Sequence, residues 1–154
     1  MGVRIESNFE KKLNYQTHGF GLLLSVLGTF FLINKSLIYS SDEKLFSSII
    51  YGFSLVFMFG SSTLYHYFID TKHSYFLQKM DHVSIYFLIA GSYTPPFILK
   101  LGYSMGNELL IIIWVIATIG IIHKIFFFKY CERASLIIYL FMGWLIVIDF
   151  DAVI

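Results

Sequence analysis

Charge is scarce in this chain. Only 14% of its 154 residues are Asp, Glu, Lys or Arg, while 57% are hydrophobic and the mean hydropathy is +0.72. A soluble domain carries nearer a quarter charged residues. A core of this size cannot hide so much apolar surface, so the natural solvent is a bilayer. The net charge is +1, with no basic stripe, which argues against a nucleic-acid partner. There is a single cysteine, Cys131, so no internal disulfide framework is possible. No small-x-small cleavage site follows the first apolar run, which is too long for a signal-peptide core. Targeting is therefore expected to use that run as an uncleaved signal anchor. Linkers, repeats and low-complexity tracts are also missing, which predicts one domain over 1–154.

Five apolar segments are present, at about 17–39, 45–69, 81–99, 106–128 and 134–154. Each has roughly the twenty residues that cross a ~30 Å hydrocarbon core as a helix. None alternates as a barrel strand must. The predicted fold class is all-α, a polytopic transmembrane helix bundle with antiparallel neighbours joined by short connections. Aromatics reach 19%, mostly Phe and Tyr, which suits lipid-facing surfaces and interfacial belts. Membrane lipids are thus the expected partners.

Orientation follows from the positive charges. Arg4, Lys11, Lys12, Lys72, Lys79, Lys124, Lys129 and Arg133 fall on one side, and Lys35, Lys44 and Lys100 on the other. The positive-inside rule places the N-terminus in the cytoplasm, and the expected location is the inner (plasma) membrane, multi-pass.

Three local features refine the bundle. Gly52 and Gly60, with Ser61 and Ser62, give the second helix a small-residue face, and Gly19, Gly21 and Gly28 do the same for the first. Pro95 and Pro96 are expected to disturb and bend the outer end of the third helix, with Ser92, Tyr93 or Thr94 supplying partners to freed carbonyls. Trp114 and Trp144 lie within spans and read as packing residues.

Ionisable groups at membrane depth are a functional-site hypothesis by default. Ser62 and His66 are four apart and share a helix face, and Asp81 opens the next antiparallel helix after a connection of about a dozen residues. His66 and Asp81 can therefore meet at one depth. A histidine nitrogen, a hydroxyl and a carboxylate suit a metal site or a metal-bound water. The plainer reading is a His–Asp hydrogen bond that locks two helix ends, and spacing alone favours it, because zinc wants three or four protein ligands. Asn14 and His18, also four apart with Glu10 a turn earlier, either join this cluster or sit in the headgroup zone. His82 points about 100° away from Asp81 and reads as interfacial. His73 reads as a solvated loop residue, and His123 as the start of a basic lipid-anchoring patch. Asp149 and Asp151 are expected in the outer interface, and nothing activates Cys131.

The motifs have a family likeness. Glu10, Asn14 and Thr17-His18-Gly19 form E-x3-N-x2-THG. Ser62-x3-His66 follows, then Asp81-His82, Ile85-Tyr86 and Leu88 to Pro95 in a DHxxIYxLIAGxYTP block, then Gly143-Trp144. The chain resembles the bacterial hemolysin III proteins, relatives of the progestin and adiponectin receptors. That resemblance implies seven helices and a zinc site near the cytoplasmic face. It makes His66 a metal ligand and Ser62 and Asp81 catalytic members of the site. It also implies lipid amide hydrolysis and a part in membrane lipid homeostasis. The alternative is a pore-forming, cytolytic haemolysin without catalysis. The sequence departs from the pattern because it stops at Ile154 and contains no H-x3-H pair, the family's remaining zinc ligands. It is therefore expected to be a truncated form, binding zinc weakly or not at all.

Overall fold

A computed structural model describes residues 7–99, 106–128 and 132–147. Arg4, Lys100, Lys129, Cys131, Asp149 and Asp151 lie outside the described residues, as does the side chain of Arg133. Five helices follow in order: α1 (Asn8–Ile38), α2 (Asp42–Tyr67), α3 (Ser74–Leu99), α4 (Gly106–Phe127) and α5 (Glu132–Trp144). There is no strand among the described residues. The all-α bundle read from the sequence is thus the observed architecture.

Three helices, α1, α2 and α4, are long and apolar enough to cross a membrane. The third matches α2 in length at 26 residues, or about 39 Å. The fifth is an apolar stretch over Ala134–Val147 among the described residues, and the rest of the expected span, 148–154, lies outside them. Large apolar side chains face outward along the bundle, among them Phe30 and Phe31 on α1 and Ile111 and Ile119 on α4. Such an exposed surface suits a lipid environment.

Two helices begin earlier than hydropathy suggests. A capping box starts α1: Ser7 Oγ accepts the Glu10 N–H at 3.2 Å, and the Glu10 carboxylate accepts the Ser7 N–H at 2.7 Å. Polar residues at the head of α3 likewise extend it back to Ser74. The α2–α3 connection is therefore only 68–73, shorter than expected. Lys11 ties the start of α1 to this connection through an ion pair with Asp70 at 2.8 Å. At the other end, α1 closes with Ser40 at φ +47°, in the left-handed region, and Ser41 then caps α2 by accepting the Lys44 N–H.

The helices pack by small residues on one side of the bundle and by large ones on the other. The buried residues of α1 and α2 are Ser25, Ser36, Ser47, Gly52, Ser54, Ser61 and Ser62. Most of these hydroxyls satisfy themselves on carbonyls of their own helix, as Ser25 does on Gly21 and Ser61 on Phe57, both at 2.7 Å. Gly52 lies against Thr29 and Gly21 against the Phe59 ring, so these glycines do admit the neighbouring helix. Gly19 and Gly60 stand at ordinary contact distance, and Gly28 faces open space, so the expected glycine face on α1 is only partly used for packing.

The apolar core lies instead among α3, α4 and α5, around Tyr86, Ala90, Phe97, Ile113, Ala117 and Met142. The prolines do not break α3, which runs on to Leu99. They fall in its last turns, and packing holds the helix there: Phe97 is buried in the core and Trp114 donates to Thr94 Oγ1 at 3.2 Å. The hydroxyls of Ser92 and Thr94 bond the carbonyls of Ile89 and Ala90, while Tyr93 reaches across to α5. Trp114 packs as expected, whereas Trp144 is 71% exposed and faces outward.

Candidate functional site

The three sequence-marked residues fall at one end of adjacent helices. Ser62 is buried in the last turns of α2, His66 is half-buried one turn later, and Asp81 is half-buried in the second turn of α3. The early start of α3 places Asp81 inside the helix rather than at its first residue. A side chain there is held at a fixed depth, on the end of the bundle shared with the C-terminus of α2.

The fourth member comes from α1. The rings of His18 and His66 lie 5.7 Å apart, tilted by 31°. Asp81 and His66 both act electrostatically on His18, so the α3 carboxylate is within reach of the histidine pair. Among the described residues, His18 Nδ1 is buried without a hydrogen-bond partner and is available to a bound group. Of the two readings the spacing left open for His18, membership of the cluster is the one observed. Only the contact between α1 and α2 reveals this, because the Asn14–His18 spacing names a shared face but not its neighbour. Glu10, from the same motif, serves the N-cap of α1.

The residue beside this cluster that the sequence analysis did not name is Tyr139 on α5. Its hydroxyl donates to the His82 carbonyl at 2.8 Å, its ring lies 4.6 Å from that of Tyr86, and Asp81 acts on it electrostatically. Tyr139 thus brings α5 against the other side of the cluster. No motif in its surroundings marks it; Tyr86 at least stands in the Ile85-Tyr86 pair.

The remaining histidines lie elsewhere. His82 turns back to the Gln78 carbonyl at 2.7 Å and packs edge-on against Phe128. His73 is exposed in the α2–α3 connection, and His123 packs against Phe127 near the end of α4.

A metal implied by the motifs can be tested against these side chains. Among the described residues, no three His, Cys, Asp or Glu side chains come together as a metal-ion group. Catalytic zinc takes three protein ligands and an open position. The donor chemistry is suitable, and the donors that meet among the described residues are fewer than a catalytic zinc site takes.

Residues 7–154 match the family model described as "Haemolysin-III related". The chain is 42% identical over 139 residues to the "Hemolysin-3 homolog" of Bacillus subtilis (strain 168), covering 90% of this chain and 65% of that protein. It is 37% identical to "Hemolysin-3" of Bacillus cereus, covering 90% and 64%. A more distant match is the "Monocyte to macrophage differentiation factor" of Homo sapiens, 28% identical over 144 residues, covering 88% and 58%. The chain spans just under two thirds of the length of these bacterial relatives. No solved structure matches.

Proposed function

The chain belongs to the Haemolysin-III related family of membrane proteins, and from that premise we propose that His18, His66, Asp81 and Ser62 are its share of a membrane-embedded hydrolase site acting on lipid amides. One observation carries the reading: in a chain this apolar, two histidines from different helices stand 5.7 Å apart with a carboxylate in electrostatic reach. Such groups are costly at membrane depth and are retained where chemistry uses them. A zinc ion, if bound, would supply Lewis acidity, and its remaining ligands would have to come from outside the described residues.

The chain's own groups have definable tasks. Asp81 is the one carboxylate of the cluster and takes up a proton from the attacking water as general base. The histidines flank it and fix the position of the reacting group, and the Ser62 hydroxyl supplies a hydrogen bond from the α2 face. The lipid setting keeps bulk water out, which strengthens each of these interactions. In this reading the activity serves membrane lipid homeostasis.

The test is release of fatty acid from an N-acyl sphingolipid by detergent-purified protein, with D81N, S62A and H66A beside the wild type. Activity of the chain completed to the length of its relatives should fall by about 10²-fold or more in D81N. Metal analysis of the 154-residue chain should find zinc well below one per molecule. Stoichiometric zinc lost on H66A would show that the ligand set is complete as it stands. Liposome dye release that survives all three substitutions, without lipid hydrolysis, would replace this reading with a pore.

A further inference from the structure

At the end of the bundle opposite His18, His66 and Asp81, helices α1, α2 and α3 border an open cavity of about 440 Å³. This lies within the range of about 300–1,000 Å³ typical of ligand sites. Lys35 in the last turn of α1 and Lys44 in the first turn of α2 both line it. They stand about 26 Å and 33 Å along their helices from His18 and His66. The two lysines are the described cations of this end, and both border the same space.

Their positions are held by a common neighbour. Lys44 Nζ sits 4.7 Å over the Tyr39 ring, and the Lys35 carbonyl accepts the Tyr39 N–H at 3.2 Å. The carboxylates of this end, Asp42, Glu43 and Glu108, are not among the lining residues, and Glu43 is engaged by the Ser41 hydroxyl at 3.1 Å. Between α1 and α2 the cavity wall carries the Ser36–Ser48 hydroxyl pair, 2.8 Å apart. The α3 wall is built from Ser92, whose hydroxyl is spent on the Ile89 carbonyl at 2.8 Å, and from the apolar Pro95, Pro96 and Leu99, with Leu32 facing it from α1. Leu32 and Leu99 are themselves exposed, so the mouth opens toward lipid.

We propose that this cavity binds an anionic phospholipid, its phosphate between Lys35 and Lys44 and its acyl chains along Leu32, Pro95, Pro96 and Leu99. A free phosphate would use the ammonium groups and leave the apolar wall in contact with water. A zwitterionic lipid would use the wall but bring its own cation to the lysines. Basic pockets between transmembrane helices hold anionic headgroups by this combination of charge and apolar wall. The assignment does not depend on the chemistry at the other end of the bundle.

Native mass spectrometry of the detergent-solubilised chain tests it, with phosphatidylglycerol, phosphatidylcholine and inorganic phosphate added separately. One phosphatidylglycerol should be retained in preference to phosphatidylcholine, with no retention of phosphate. K35Q/K44Q should weaken phosphatidylglycerol binding by about fivefold for each lysine removed. K35R/K44R should keep it, which separates lost charge from lost fold, and K12Q at the far end should leave it unchanged. Undiminished binding by K35Q/K44Q, or equal retention of the two lipids, would overturn the proposal. So would phosphate binding that depends on the lysines while phosphatidylglycerol does not bind.

Discussion

Gly91 and Gly28 are the same residue with opposite surroundings. A Cβ at Gly91 would run into the Ser54 side chain where α3 meets α2, whereas one at Gly28 meets nothing within 4 Å. G91A should therefore push two helices apart and cost about 1–3 kcal/mol. G28A removes a helix-weakening glycine and should be neutral or stabilising by up to about 1 kcal/mol. Thermal unfolding in detergent distinguishes them, and a G91A midpoint equal to wild type would mean that this close approach does not limit packing. The contrast also explains what single residues disclose in sequence. Ser62 and His66 were legible as one face because a spacing of four is a property of one helix. The partnership of His18 with His66 is a property of two helices, set by how α1 rotates against α2. The outward turn of Trp144 is likewise a tertiary fact, invisible in the apolar run around it.

At the scale of elements, hydropathy located all five helices but not the starts of α1 and α3. An apolar run marks where a helix meets lipid, while the helix itself continues as far as capping and hydrogen bonding carry it. Ser7 and Glu10 therefore start α1 well before Thr17, and α3 starts at Ser74 rather than Asp81. Pro95 and Pro96 do not end α3: packing against α4 keeps the helix running to Leu99. The same turns of α3 make the main polar tie to α5. Tyr93 Oη donates to the Met142 carbonyl at 2.6 Å and accepts the Ile146 N–H at 2.8 Å. Y93F keeps the ring stacked on Phe97 but leaves two backbone groups without this partner. It should lower stability by about 1–2 kcal/mol and expose α5 first. Limited proteolysis in detergent reads that exposure, and unchanged cleavage in α5 would show that its apolar contacts suffice to hold it.

For the whole molecule, the distribution of positive charge gives the two ends different identities. Among the described residues, Lys11, Lys12, Lys72, Lys79 and Lys124 lie at the end with His18, His66 and Asp81, and Lys35 and Lys44 at the other. Not all of these cations are free to act as topological signals: Lys124 is fully buried and donates to Ser135 at 3.1 Å, and Lys79 donates to the Ile125 carbonyl at 2.9 Å. Lys12 and Lys72 are exposed, and Lys11 pairs with Asp70 at the surface. Since positive residues in short loops are retained in the cytoplasm and carboxylates weigh little, this end should face inward. Cysteine labelling reads the orientation directly. On a C131S background, K72C lies in the α2–α3 connection at the histidine end and S40C in the α1–α2 turn at the other, and both positions are exposed. A membrane-impermeant maleimide should label S40C in intact cells and K72C only after permeabilisation. The reverse pattern would turn the end with His18, His66 and Asp81 toward the outside and the lysine-lined cavity toward the cytoplasmic leaflet. That leaflet carries the anionic lipid surface potential in many cells, so the same labelling also decides which lipid pool each end of the molecule can reach.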